Sequence, residues 1–154
     1  MYDEKDLTAY CGLFCGDCIP SNAQLFELLG ELRELAAELH LDSYAELIAR
    51  RDAAFEGYPA FERMLSVLAG LRCASPCRAG GGKPSCPIRA CAQGKGFEGC
   101  WECLARAECG LLQPLREFHG DTIDGNLDAI TSCGPEDWAS RRGKHYPWSH
   151  KGST

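Results

Sequence analysis

RCASPCRAGGGKPSCPIRACAQGKGFEGCWECLARAECG, residues 72–110, is the stretch that decides how the chain must fold. It carries seven of the eleven cysteines, the run Gly80-Gly81-Gly82, and Pro76, Pro84 and Pro87. No apolar period of 3.6 or 2 is sustained through it, so it predicts neither an amphipathic helix nor a half-buried strand. Such a stretch cannot build a hydrophobic core of its own. It stays ordered where metal or disulfides replace the missing core.

The flanks read as helices. Upstream, a short apolar lead-in over residues 7–18 ends in Cys11, Cys15 and Cys18. Asp17 is expected to cap the first long helix, with Pro20 tolerated in its first turn. Leu25, Leu28, Leu29, Leu32, Leu35, Ala36 and Leu39 then recur at helical spacing. Asp42 or Ser43 can cap a second helix carrying Tyr44, Leu47, Ile48 and Phe55, ended by Gly57. Pro59 opens a third, with Phe61, Met64, Leu65, Leu68 and Leu71 on one side and Gly70 near its end. Downstream, Asp121 can cap a helix bearing Ile123, Leu127 and Ile130, which Gly134-Pro135 stops. Pro135 opens a last short helix through Trp138. These apolar stripes are expected to form the core. The fold class is therefore mainly α, a small helical domain with an irregular cysteine-rich metal-binding segment. Residues 1–142 are expected to form one domain, and 143–154 a flexible basic tail.

Composition narrows the classes further. A chain of 154 residues buries roughly 68–70% of its unfolded surface and needs no disulfides to fold, so eleven cysteines call for another explanation. Met1-Tyr2-Asp3-Glu4-Lys5-Asp6 has no basic region followed by an apolar stretch, which points to the cytoplasm. Even the most apolar window, residues 25–39, is interrupted by Glu27, Glu31, Arg33, Glu34 and Glu38, so no membrane span is expected. An odd cysteine count in a reducing compartment favours metal ligands or redox thiols over disulfides. The net charge of −6 divides into −8 over residues 1–71, +3 over 72–110 and −1 over 111–154. Arg72, Arg78, Lys83, Arg89, Lys95 and Arg106 thus share the segment with most of the cysteines. They would either offset thiolate charge or simply solvate loops. With a pI near 5.2 the chain carries no nucleic-acid footprint.

Ten cysteines fall into four groups: Cys11-x3-Cys15-x2-Cys18, Cys73-x3-Cys77, Cys86-x4-Cys91 and Cys100-x2-Cys103-x5-Cys109. Two thiolates on one zinc ion must lie under about 4 Å apart, which a turn of two to four intervening residues delivers. Zinc at two or more sites is the favoured cofactor. Spacing alone leaves the partition open. Cys73, Cys77, Cys86 and Cys91 could form one local site, or Cys91 could join Cys100, Cys103 and Cys109. His119 reads as a surface or capping residue rather than a ligand, and His40, His145 and His150 rank below it. Cys133, alone in the C-terminal helix, reads as a core cysteine.

Two rivals follow from the same residues. Cys11-x3-Cys15-x2-Cys18 has the spacing of radical S-adenosylmethionine enzymes, but helices rather than alternating strands follow it, which excludes that barrel. A [4Fe–4S] cluster for electron transfer or redox sensing, held by this triplet and one remote cysteine, remains the alternative. Thiol redox chemistry at Cys15-Gly-Asp-Cys18 or Cys100-Trp-Glu-Cys103 lacks the βαβ context it wants. Gly80-Gly81-Gly82-Lys83 is a turn, since position 77 is cysteine where a phosphate loop needs glycine and Pro84 replaces its Ser/Thr.

Cys11-Gly-Leu-Phe-Cys15-Gly-Asp-Cys18 resembles the opening motif of the bacterial and archaeal family catalogued as domain of unknown function 3795. So do Cys73-x3-Cys77, Cys86-Pro-Ile-Arg-Ala-Cys91-Ala, Lys95-Gly96 and Gly99-Cys100-Trp-Glu-Cys103. His119-Gly120, Asn126-Leu127, Ile130 and Trp138 extend the resemblance to roughly residues 7–140. It implies a small cytoplasmic cysteine-rich protein that binds zinc, with no established reaction, and leaves Cys133 outside the pattern. Closed all-thiolate sites argue against an enzyme. A protein partner is conceivable, met by Phe97, Trp101, Tyr146 or Trp148 if these are exposed.

Overall fold

The computed structural model describes residues 2–143 and 145–150. Eight α-helices are present among them and no strands, only an isolated antiparallel bridge between Thr8 and Phe14. The mainly α fold is as the sequence predicts. The chain divides into two compact units, Met1–Ser21 with Cys73–Thr154, and Asn22–Arg72.

The first unit contains α1 (Glu4–Leu7), α5 (Pro87–Gly94), α6 (Gln113–His119), α7 (Thr122–Cys133) and α8 (Pro135–Arg141), with short 3-10 turns at the cysteine motifs. Its core is Tyr10, Phe14, Ile88, Ala92, Trp101, Leu112, Ile123, Leu127, Ile130, Trp138 and Ala139. Ile123, Leu127 and Ile130 lie on one stripe of α7, as their spacing predicts, and this helix packs against α6, α8 and the turn at Cys100–Glu102. Helix α5 lies inside the segment read as aperiodic. Pro87 at its first position and only eight residues of length hid it, because two turns carry too few apolar positions to show a period. Ile88, Arg89 and Ala92 are its buried residues.

The described part of the tail contributes buried rings. His145 and Tyr146 are buried, and the Tyr146 hydroxyl donates to the Phe14 carbonyl at 2.9 Å. Tyr146 stacks on Trp148 with ring centroids 4.4 Å apart. The three aromatic and imidazole rings at 145, 146 and 148 give this stretch apolar area to bury, which its basic neighbours masked in the sequence. Lys144 and residues 151–154 lie outside the described residues.

The second unit holds α2 (Ala23–Glu38), α3 (Leu41–Ile48) and α4 (Tyr58–Ala69). Asn22, not Asp17, caps α2, its Oδ1 accepting from the Leu25 N–H at 2.8 Å. Pro20 belongs to a 3-10 turn, Ile19–Ser21, instead of the helix. Helix α3 follows His40, which takes a left-handed conformation (φ 50°), rather than an Asp42 or Ser43 cap. Pro59 opens α4 as expected. The stripes do not all form core. Only Phe26, Leu29 and Ala45 are buried here, whereas Leu28, Leu32, Leu35, Leu39, Tyr44, Leu47, Phe61, Met64 and Leu71 are exposed. Three helices over 51 residues enclose too little interior for every apolar position their periodicity supplies.

Candidate metal centre

All ten grouped cysteines belong to the first unit, and the helical unit Asn22–Arg72 contains none. All eleven cysteines are free thiols. Two local structures repeat. Cys15-Gly16-Asp17-Cys18 folds as a 3-10 turn closed by the Cys18 N–H on the Cys15 carbonyl at 3.2 Å, and Cys100-Trp101-Glu102-Cys103 does the same at 3.1 Å. Each turn projects two thiols from one short loop.

The first turn meets the segment 73–82. The Cys77 N–H donates to Cys15 Sγ at 3.4 Å, and the Gly82 N–H donates to Cys73 Sγ at 3.0 Å. The Cys73 N–H reaches the Pro20 carbonyl at 2.7 Å, closing the chain across the whole intervening unit. Burial pushes the Cys15 thiol up to about 11, with like-charge repulsion from Cys77, Cys18 and Cys73 adding to it and the Cys77 N–H opposing it. Cys18 is raised by burial and by Cys73.

The second turn meets α5. Cys91, Cys100, Cys103 and Cys109 line one cavity of about 40 Å³, walled by Ile88, Ala92 and Leu112. Burial pushes Cys100 up to about 12, and Cys109, Cys103, Cys91 and Cys86 raise it further. Cys91, Cys100, Cys103 and Cys109 are one of the two groupings that spacing leaves open. Cys73 and Cys77 neighbour the N-terminal turn, Cys77 through its N–H on Cys15 Sγ and Cys73 beside Cys15 and Cys18. Cys11 stands between the groups: burial is the main cause pushing it up to about 12, with Cys77, Cys100 and Cys15 contributing.

Four arginines organise the loops. Arg89, buried, donates to the carbonyls of Cys77, Gly81, Lys83 and Pro84 at 2.8–3.1 Å. Arg78 donates to the Thr8 and Glu98 carbonyls and lies over the Tyr10 ring, 4.7 Å from its centroid. Arg106 donates to the Trp101 carbonyl and pairs with Asp128, and Arg116 spans the Arg106 and Cys109 carbonyls while pairing with Asp124. Sequence reasoning missed these roles, because a basic residue in a glycine-rich loop gives no signal of the carbonyls it will gather. Lys95 and Arg106 also line the second cavity.

Several single residues differ from expectation. Cys133 is exposed, its thiol donating to the Ala129 carbonyl at 3.2 Å, so it is not a core cysteine. His119 is buried rather than on the surface, 4.8 Å from the Phe118 ring and 5.7 Å from Tyr146, and burial lowers its pKa. Trp101 and Tyr146 are buried and Phe97 and Trp148 half-buried, so none of them offers the open aromatic face expected for a partner.

Thiols are the donor type that a thiophilic ion takes. Backbone N–H groups of Cys77 and Gly82 reach the Cys15 and Cys73 sulfurs, as donors around a metal-bound thiolate do. Among the described residues no three His, Cys, Asp or Glu side chains yet converge in coordinating geometry. Cys91, Cys100, Cys103 and Cys109 line a common space without closing on a point, and Cys15 and Cys73 line another.

Fold and site together define a helical, cysteine-rich protein with two gatherings of thiols in one unit. The chain belongs to the family described as "Protein of unknown function (DUF3795)", whose family model matches residues 7–114. That span covers all ten grouped cysteines, while the resemblance read at His119-Gly120, Asn126-Leu127, Ile130 and Trp138 lies beyond it. Neither a curated protein nor a solved structure matches the chain. No described helix is long and apolar enough to cross a membrane.

Proposed function

We propose that this protein is a structural zinc protein, in which thiolates from the four cysteine groups hold the loops 11–18 and 73–110 together. The observation carrying this reading is the opposition of short cysteine turns from distant parts of the chain, with N–H donors aimed at Cys15 and Cys73 sulfurs. The Cys15 and Cys100 thiols, raised by burial to about 11 and 12, are protonated at neutral pH, and a zinc ion would displace those protons as it binds. Zinc supplies folding energy in a closed thiolate site and no open position for a substrate. The cytoplasm suits a reduced thiol set of this size.

The test is the metal content and visible spectrum of chain purified without oxygen or added metal. Colourless protein with zinc, which loses circular dichroism and thermal stability on strong chelation, supports the reading. Brown protein absorbing near 400 nm, with iron and acid-labile sulfide, replaces it with an iron–sulfur protein for electron transfer or redox sensing. Chelation that removes nothing and leaves stability unchanged refutes structural metal of either kind.

A further inference from the structure

We propose two separate four-thiolate ion sites, one of Cys15, Cys18, Cys73 and Cys77 and one of Cys91, Cys100, Cys103 and Cys109, with Cys11 and Cys86 outside both. This rests on the zinc reading and assigns the ligands that reading leaves open.

Each site takes one Cys-x2-Cys turn and two further thiols from elsewhere in the first unit. At the first site, Cys77 N–H bonds directly to Cys15 Sγ, and Cys15 and Cys73 line one cavity of about 130 Å³. The Cys73 backbone is fixed to Pro20, two residues past Cys18. Gly81 comes so near that a Cβ there would lie 3.0 Å from Cys73 Sγ, so the loop leaves room for sulfur by having no side chain. At the second site all four cysteines line a single cavity, and Lys95 and Arg106 on its wall offset the formal −2 of a tetrathiolate zinc ion.

The two remaining thiols are excluded by position. Cys86 is the cap residue of α5 and Cys91 lies five residues on, about 140° around the helix, so the two face different sides. Cys86 is absent from the cavity lining. Cys11 precedes Gly12, whose carbonyl is held by the Asn126 amide at 2.9 Å, and follows Tyr10, whose carbonyl accepts from Cys100 N–H at 2.7 Å. Its thiol is near members of both groups, Cys77 and Cys15 of one and Cys100 of the other, but lines neither cavity, and we assign it to neither site.

Zinc per chain, measured on the full-length protein loaded with zinc alone, tests the grouping. Wild type should hold two ions, Cys18→Ser and Cys103→Ser one each, and Cys86→Ser and Cys11→Ser two. The decisive pair is Cys18→Ser/Cys77→Ser, expected to keep one ion, against Cys18→Ser/Cys109→Ser, expected to keep none. Loss of an ion in Cys86→Ser or Cys11→Ser, or of both in Cys18→Ser/Cys77→Ser, overturns the grouping. Alkylation of loaded wild type requires no variant to fold: exposed Cys133 should react while the eight ligands are spared until a chelator is added, and reaction of any of the eight in loaded protein overturns the assignment. A wild type that binds no zinc refutes the zinc reading itself, whereas two ions with the wrong losses refute only the partition.

Discussion

Replacing Arg89 with methionine should destabilise the cysteine unit by about 4 kcal/mol without altering a single thiol. Its guanidinium Nη1 donates to the Cys77 and Gly81 carbonyls at 2.9 and 2.8 Å, and Nη2 to those of Lys83 and Pro84 at 3.1 and 2.8 Å. Hydrogen bonds of this kind contribute roughly 0.5–1.5 kcal/mol net, more when one partner is charged. Lys83 and Pro84 are exposed, so water takes over their carbonyls and each loss is about 0.5 kcal/mol. Cys77 and Gly81 are half-buried, and their losses stand nearer 1.5 kcal/mol each. Arg89→Lys keeps the charge but not the planar fork, and should lose about 2 kcal/mol. All three tryptophans, Trp101, Trp138 and Trp148, lie in the cysteine unit, so urea unfolding followed by their fluorescence reports on that unit. If Arg89→Met unfolds within about 0.5 kcal/mol of wild type, the loop is not held by this residue; equal behaviour of Lys and Arg would mean that charge, not the fork, matters.

Two further outcomes follow. Gly81→Ala should destabilise the same unit by about 3 kcal/mol, because its Cβ would fall 1.6 Å from the Ser75 carbonyl oxygen, whereas Gly94→Ala in α5 meets nothing and should be neutral or stabilising by about 0.5 kcal/mol; comparable urea midpoints for the two would contradict the packing. Burial holds the His119 pKa below its ordinary value, so its stabilising effect is complete above about pH 6.5 and is lost as pH falls toward the lower folded value. His119→Phe, placed beside Phe118 and Tyr146, should therefore gain stability relative to wild type between pH 7.5 and 5.5, and a difference that stays constant across that range would refute it.

Helices were legible where periodicity ran long enough to be counted. α2, α4 and α7 repeat apolar residues over 12 to 16 positions, and Pro59 and Pro135 mark true starts. Their burial was not legible in the same way. Periodicity says which residues share a face, but not whether another element covers that face, and in α2 the Leu28-Leu32-Leu35 stripe remains open while Phe26 and Leu29 are buried. Asp17 shows the same limit at a single residue. It has the chemistry of a cap, yet its carboxylate binds the Arg142 guanidinium, 125 residues away, at 2.6 and 2.7 Å. A cap is a local decision that a distant partner can outbid.

The cysteine groups were legible as groups, because their spacing is set by turn geometry within a few residues. Which groups meet is decided by backbone contacts that no spacing contains. Cys18 and Cys73 are separated by a whole helical unit, yet the Cys73 N–H bonds the Pro20 carbonyl, so that unit leaves and returns at one place. Closing a flexible loop of this length costs about 3.5 kcal/mol, and doubling its length adds only about 0.6 kcal/mol. A structural zinc ion contributes roughly 10–16 kcal/mol, several times that cost. An ion shared by Cys15, Cys18, Cys73 and Cys77 would therefore make the site nearly indifferent to what is inserted between its halves. On this argument, shortening the segment between Asn22 and Arg72 to a flexible linker should leave zinc stoichiometry at two ions per chain, and loss of the first ion in such a variant would show that the helical unit itself holds Cys73 in place.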